Sequence, residues 1–114
     1  MATRTPRITE ATLDVLEVLL GPDDRLYGLA IATAIGRPTG SVFPILARLE
    51  RAGFAVSKWE TEEQSDRGPR RRFYQLSPEG VTWARAALVD RKGRQIARRH
   101  RTSGAVQPGI EGAR

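Results

Sequence analysis

The sequence predicts a mainly α chain with one small β-hairpin, an α+β class. Three observations predict it. Apolar residues recur at three- and four-residue spacing as far as Gly53, the repeat of a helical face. Directly after Gly53 the pattern changes to alternation in two short stretches, residues 54–60 and 71–76, the repeat of strands. At Ser77-Pro78-Glu79 a helix starts again, with a capping hydroxyl, a proline at the first helical position and an acid in the first turn.

The elements follow in order. "ITEATLDVLEVLLG", residues 8–21, is a first helix, capped by Thr9 and stopped by Gly21 and Pro22. Leu13, Leu16, Val18 and Leu20 supply its packing surface. Glu10, Asp14 and Glu17 line another face, which excludes that face from contact with a polyanion. "DDRL" reads as a turn. A second helix, about Tyr27 to Ile35, ends at Gly36; Leu29, Ile31, Ala32 and Ile35 make it nearly all apolar, so it is expected to be largely buried. "GRPT" is a tight connection.

The third helix occupies most of "TGSVFPILARLERAGF", residues 39–54. Val42, Ile45, Leu46 and Leu49 share one face; Ser41, Pro44, Arg48 and Arg51 share the other. Pro44 is placed about one turn in, near amides that lack intrahelical partners anyway. Deeper inside it would cost about 3 kcal/mol. A short helix, a glycine turn and a longer basic-faced helix make a helix-turn-helix. "FAVSKWE" and "RRFYQL" then flank the polar tip "TEEQSDRGPR", and this hairpin is a wing. The last helix passes Trp83 and Leu88 to about Arg99, with Gly93 as its weak point. The chain so divides into a flexible arm (1–7), a winged helix-turn-helix (8–76), a C-terminal helix with an Arg-rich end (77–101) and a disordered tail (102–114).

Composition narrows the function. At 114 residues the chain holds one small domain. It has no cysteine, which excludes disulfides, thiolate metal sites and a thiol nucleophile. No apolar run reaches the roughly 18 residues of a membrane span, and the start has no secretory signal pattern, so a cytoplasmic location is expected. The net charge of +6 is not spread evenly: residues 1–90 hold twelve Lys/Arg and twelve Asp/Glu, and the excess lies in "RKGRQIARRHR", residues 91–101. Net basicity therefore does not by itself mark the folded body as binding nucleic acid. No phosphate-cradling glycine loop, nucleophile elbow or catalytic carboxylate pair is present, so no enzyme is expected. His100 has no second His or Cys nearby, so neither metal nor cofactor is expected.

Three segments together are similar to one family. They are Tyr27-Gly28 at the second helix; "TGSVFPILARLERAGF", with its aromatic-proline pair Phe43-Pro44 followed by Leu46, Arg48, Leu49 and Glu50; and "GPRRRFYQLSPEG", residues 68–80. Over about residues 8–90 the chain resembles the PadR-like winged-helix transcriptional regulators. The resemblance implies a dimeric repressor of double-stranded DNA, with the third helix in the major groove, the wing on the neighbouring backbone or minor groove, and the last helix mediating dimerisation. The chain departs from the pattern in carrying Phe43 where the family often has Tyr, which removes a phosphate contact from a hydroxyl. Its "GRPT" connection and the region after the wing are also short.

The candidate DNA contacts are Thr39, Ser41, Phe43, Arg48 and Arg51 on the third helix and Arg70, Arg71 and Arg72 on the wing. Hydroxyls and helix-start amides suit phosphates, and arginine can fork onto guanine. The same arginines also read as solvated charges, with Glu50 as a loose partner. At the wing tip Arg67 and its neighbours face Glu60, Glu62, Glu63 and Asp66, a hairpin able to neutralise itself. Alternation places Arg71 and Phe73 opposite Arg72 and Tyr74, so one of the two arginines is expected to point away from DNA. Trp59 is expected to pack on the other wing strand. Trp83, Ala87 and Leu88 read as an apolar seam between two subunits, a seat for a small aromatic effector, or packing within the domain. Run 91–101 reads equally as a phosphate grip or a solvated helix end. The function expected is a repressor binding a palindromic operator as a homodimer, released by a small aromatic effector. The alternative is a winged-helix protein-interaction module that uses the acidic loop 60–66.

Overall fold

The computed structural model describes residues 6–61 and 68–106, with side chains as far as residue 99. Its first helix, α1, is Glu10–Leu19, and Thr9 Oγ1 accepts the Thr12 N–H at 3.1 Å as the N-cap. Leu13, Val15, Leu16 and Leu19 are buried; Val18 and Leu20 pack half-buried at the edge of the same core.

The stretch expected as a turn and a helix start holds instead a two-residue strand, β1, Leu26–Tyr27. It pairs antiparallel with a later strand through Leu26↔Tyr74 and Tyr27↔Phe73. Two residues carry no periodicity, so only the distant partner defines them as a strand. Helix α2, Gly28–Ile35, then ends at Gly36 as expected. It is less buried than its composition suggests, because Leu29 points outward and only Gly28, Ile31 and Ala32 are buried.

Helix α3 is Thr39–Arg51. All four residues of its apolar face, Val42, Ile45, Leu46 and Leu49, are buried. The amides of Ser41 and Val42 already bond to the Pro38 carbonyl, at 3.0 and 3.2 Å. Pro44 therefore lies one step inside the bonded helix rather than among its free amides. The carbonyl that loses a donor is Gly40's, and both residues are exposed, so solvent reaches that carbonyl. The helix stops at Gly53, whose φ of 83° suits only a residue without Cβ. Gly53 and Phe54 donate back to Glu50 and Leu49 at 3.0 and 2.9 Å, the Schellman pattern, and the chain turns at once into the sheet.

Strands β2, Ala55–Trp59, and β3, Arg72–Leu76, pair antiparallel from Ala55↔Leu76 to Trp59↔Arg72, giving the order β1-β3-β2. Ser77 Oγ accepts the Gly80 N–H at 3.0 Å and donates to the Gly53 carbonyl at 2.6 Å. One hydroxyl thus caps the last helix and ties it to the end of α3. That helix, α4, is Pro78–Val106. It continues through Gly93 and through residues 102–106, which were expected to be disordered. Glycine in a helix costs only about 1 kcal/mol, and a helix already nucleated propagates through such residues. The rest of the expected tail, 107–114, the arm residues 1–5 and the wing residues 62–67 lie outside the described residues. No single helix among the described residues is long and apolar enough to cross a membrane.

Candidate nucleic-acid interface

On α3, Ser41, Phe43, Pro44, Arg48 and Arg51 are exposed and Thr39 is half-buried. The opposite, buried face anchors the helix, so what it presents begins with hydroxyls and ends basic. Its first amides precede the bonded ones at Ser41 and Val42, and the helix dipole adds positive potential there, which suits a phosphate. Among the described residues, the side chains of Arg48 and Arg51 have no hydrogen-bond or ion-pair partner. Glu50, expected as their loose partner, is held by Arg72 instead.

Between the start of α2, α3 and the wing lies a cleft of about 660 Å³, with Tyr27, Leu29, Phe43, Trp59, Arg70 and Arg71 among its lining. Leu29, Phe43 and Trp59 are 58%, 50% and 59% exposed, so its walls are apolar and open. Gly28 shapes this cleft. A Cβ at position 28 would overlap the Phe43 ring, so glycine lets the ring lie against the start of α2. Leu29 was assigned to the core from composition alone, and no sequence signal separated it from Ile31.

The three wing arginines differ. Arg70 is exposed, with no side-chain partner among the described residues. The Arg71 guanidinium stands 4.7 Å from the Tyr27 ring centroid. Arg72 Nη2 alone reaches both oxygens of Glu50 at 3.2 Å, while its Nε donates to Ser57 Oγ at 2.8 Å. Arg72 is thus turned onto the protein, although it and Arg71 line the same cleft. Trp59 does pair across to Arg72, whose guanidinium is 5.6 Å from its ring, yet most of the ring stays exposed. Glu60 is 2% exposed. It accepts from the Arg71 N–H at 3.2 Å and from Arg25 at 3.4 Å, closing the base of the wing onto the segment that leads into β1.

These features describe a helix-turn-helix with a wing, and sequence comparison places it. The model of the transcriptional regulator PadR-like family matches residues 15–86. The chain belongs to that family. No curated protein matches it in sequence. Among solved structures, this PadR-like chain is similar to a PadR-like transcription factor from Bacteroides fragilis, at 22% identity over 77% of this chain and 87% of that one, with a TM-score of 0.58. It is also similar to MepR, a transcription regulator of the Staphylococcus aureus multidrug efflux pump MepA, at 21% identity over 81% of this chain, TM-score 0.60. It spans 65% of the length of that MepR chain. PcaV of Streptomyces coelicolor, solved with its natural ligand, gives 20% identity, 94% and 68% coverage, and a TM-score of 0.61. At these identities the likeness is one of fold, that of winged-helix regulators.

In this PadR-like regulator the α4 residues read from sequence as a seam, an effector seat or domain packing all make contacts within the chain. Ala87 is buried in the core, Leu88 packs against it half-buried, and the Trp83 ring stacks on Phe54 at 4.5 Å and 14°. Among the described side chains of α4, the exposed large apolar ones are Val89 and Ile96. Arg91, at the head of the Arg-rich run, turns onto α1, where its Nη2 meets Asp14 and Glu10 at 3.0 Å and its Nη1 meets Glu17 at 3.9 Å. Burial works against its charge, but the Asp14 hydrogen bond and the fields of Glu10, Asp14 and Glu17 outweigh it and hold its pKa above the usual arginine value. Asp14 also binds Arg37, at 2.9 Å. The acidic stripe of α1 thus faces α4 and the helix-turn-helix connection. Residues 92–99 are exposed.

Proposed function

We propose that the chain is a sequence-specific DNA-binding transcriptional repressor, without enzymatic activity, that acts in the cytoplasm as a homodimer on a palindromic operator and is released by a small aromatic effector. One observation carries the reading: the arginines of α3, which have no partner among the described residues, and the exposed Arg70 of the wing stand on elements that share one cleft. In this reading α3 lies in the major groove. Thr39 and Ser41 hold phosphates, Arg48 and Arg51 fork onto guanine, and Phe43 offers an apolar edge to a thymine methyl. Arg70 and Arg71 reach the neighbouring backbone. A two-fold pair places its α3 helices about 34 Å apart, one turn of DNA.

Val89 and Ile96, 70% and 45% exposed, support dimerisation through the part of α4 that leaves the subunit's core. Trp83 supports the effector. A flat ring inserted there displaces Phe54, which directly follows the glycine stop of α3. The interaction-module alternative relied on the acids of 60–66, and burial of Glu60 removes one of them from the surface.

The test selects duplexes from a random pool with the purified chain and measures binding by fluorescence anisotropy against a scrambled control. The expected result is an enriched inverted repeat whose affinity falls about 10³-fold or more between roughly 50 and 200 mM salt. No enrichment, with equal weak binding to both duplexes, would sink the reading.

A further inference from the structure

Glu50 sits awkwardly if judged by charge alone. It lies in the last turn of α3, where the helix dipole is negative, and on a helix that the reading above lays against a polyanion. Its surroundings explain why it is tolerated. Ser57 Oγ donates to Glu50 Oε2 at 2.6 Å and accepts from Arg72 Nε at 2.8 Å, while Arg72 Nη2 reaches both Glu50 oxygens at 3.2 Å. The three side chains close a ring of hydrogen bonds across α3, β2 and β3. The rings of Trp59 and Tyr74 stand 5.6 and 5.8 Å from the same guanidinium. The guanidinium thus engages two acceptors through two of its nitrogens, Nε on Ser57 and Nη2 on Glu50. Such planar, charge-assisted contacts are directional as well as attractive, so they set an angle and not merely a proximity.

We propose that Glu50 is a positioning residue for DNA recognition: with Arg72 and Ser57 it locks the wing to the last turn of α3 and fixes the span between the helix that reads bases and the wing tip that touches backbone. Arg72, taken from sequence as a DNA contact, is a strut in this arrangement. The inference rests on the DNA-binding reading above, and its test separates the two.

Electrostatics alone gives the opposite sign. Removing an acid from a DNA-facing surface strengthens binding to every duplex. If Glu50 positions the wing, Glu50→Gln instead lowers affinity for the selected operator by about tenfold or more, the loss of one charged hydrogen bond, while affinity for scrambled DNA stays level or rises. On an operator trimmed to end before the wing's footprint, wild type and E50Q bind alike. Arg72→Lys keeps the charge but cannot hold Ser57 and Glu50 together through two separate nitrogens, so it follows E50Q; a plain phosphate contact would survive that change. Hydrogen exchange without DNA reads the lock directly, with faster exchange expected at the β2–β3 amides in both variants. Operator affinity undiminished in E50Q and R72K, or unchanged exchange in the wing, overturns the proposal alone. A wild type that fails to distinguish operator from scrambled DNA overturns the DNA-binding reading and the proposal with it.

Discussion

On the α1–α4 face, Arg91 is enclosed by Glu10, Asp14 and Glu17, and Asp14 also takes Arg37. On the α3–wing face, among the described residues, Arg48, Arg51 and Arg70 stay open, while Arg71 lies over the Tyr27 ring and Arg72 is tied to Glu50. The same side chain, at similar density along the sequence, fastens helices in one region and is left free in the other. The difference lies in the acids brought opposite. An acidic stripe on α1 meets α4, whereas among the described residues the exposed face of α3 meets no acid, and the nearby carboxylate of Glu50 is turned sideways to the wing. Arginine count therefore says little about function, and partner geometry says a great deal.

The sharpest way to break this contrast is Arg91→Ala, which leaves three carboxylates facing one another. Urea unfolding should show a loss of about 2 kcal/mol, below the roughly 3–5 kcal/mol of a fully buried pair because Glu10 and Glu17 are largely exposed. Operator affinity of the folded protein should not change. Because the folded-state pKa of Arg91 is raised, its contribution is complete at neutral pH and, on the alkaline side, is lost only in strong alkali, as pH climbs through that raised value. Arg48→Ala comes next. Stability should hold, while the ratio of operator to scrambled affinity falls by about 1–3 kcal/mol; a drop in stability instead would make the two faces equivalent. Arg70→Ala is gentler, weakening all duplexes alike and lowering the slope of log affinity against log salt by about 1. Smallest of all, Arg94→Ala on the exposed run of α4 should shift the unfolding midpoint by no more than about 0.5 kcal/mol of stability.

Much of this architecture was legible in the sequence because it is local. The 3.6-residue period of α3 separated four buried residues from four exposed ones correctly, and Thr9, Gly36, Gly53 and Ser77 marked their boundaries through capping chemistry that acts over a few residues. What was missed is non-local. Leu26 and Tyr27 become a strand only when Phe73 and Tyr74 arrive beside them. Leu29 has the composition of a core residue but an outward position set by how α2 docks. Arg72 could not be told from Arg70 until Glu50 was placed, and Trp83 could not be told from a surface residue until Phe54 was placed. The reach of α4 beyond Arg99 was not expected because residues 102–114 carry no apolar periodicity. The contact residues of the candidate site remain proposals drawn from exposure, charge and missing partners.

The strand order has a kinetic consequence. β1 lies before the helix-turn-helix, yet its only neighbour is β3, on the far side of the wing loop. During synthesis the first three helices are complete well before residues 73 and 74 exist to receive it, and such distant pairings close late. A nascent chain cut short inside the wing loop would carry α3, the helix proposed to read bases, but neither a closed sheet nor the Glu50–Arg72 contact. Truncated products would then be poor competitors for the operator, and full-length synthesis itself becomes a condition for occupancy.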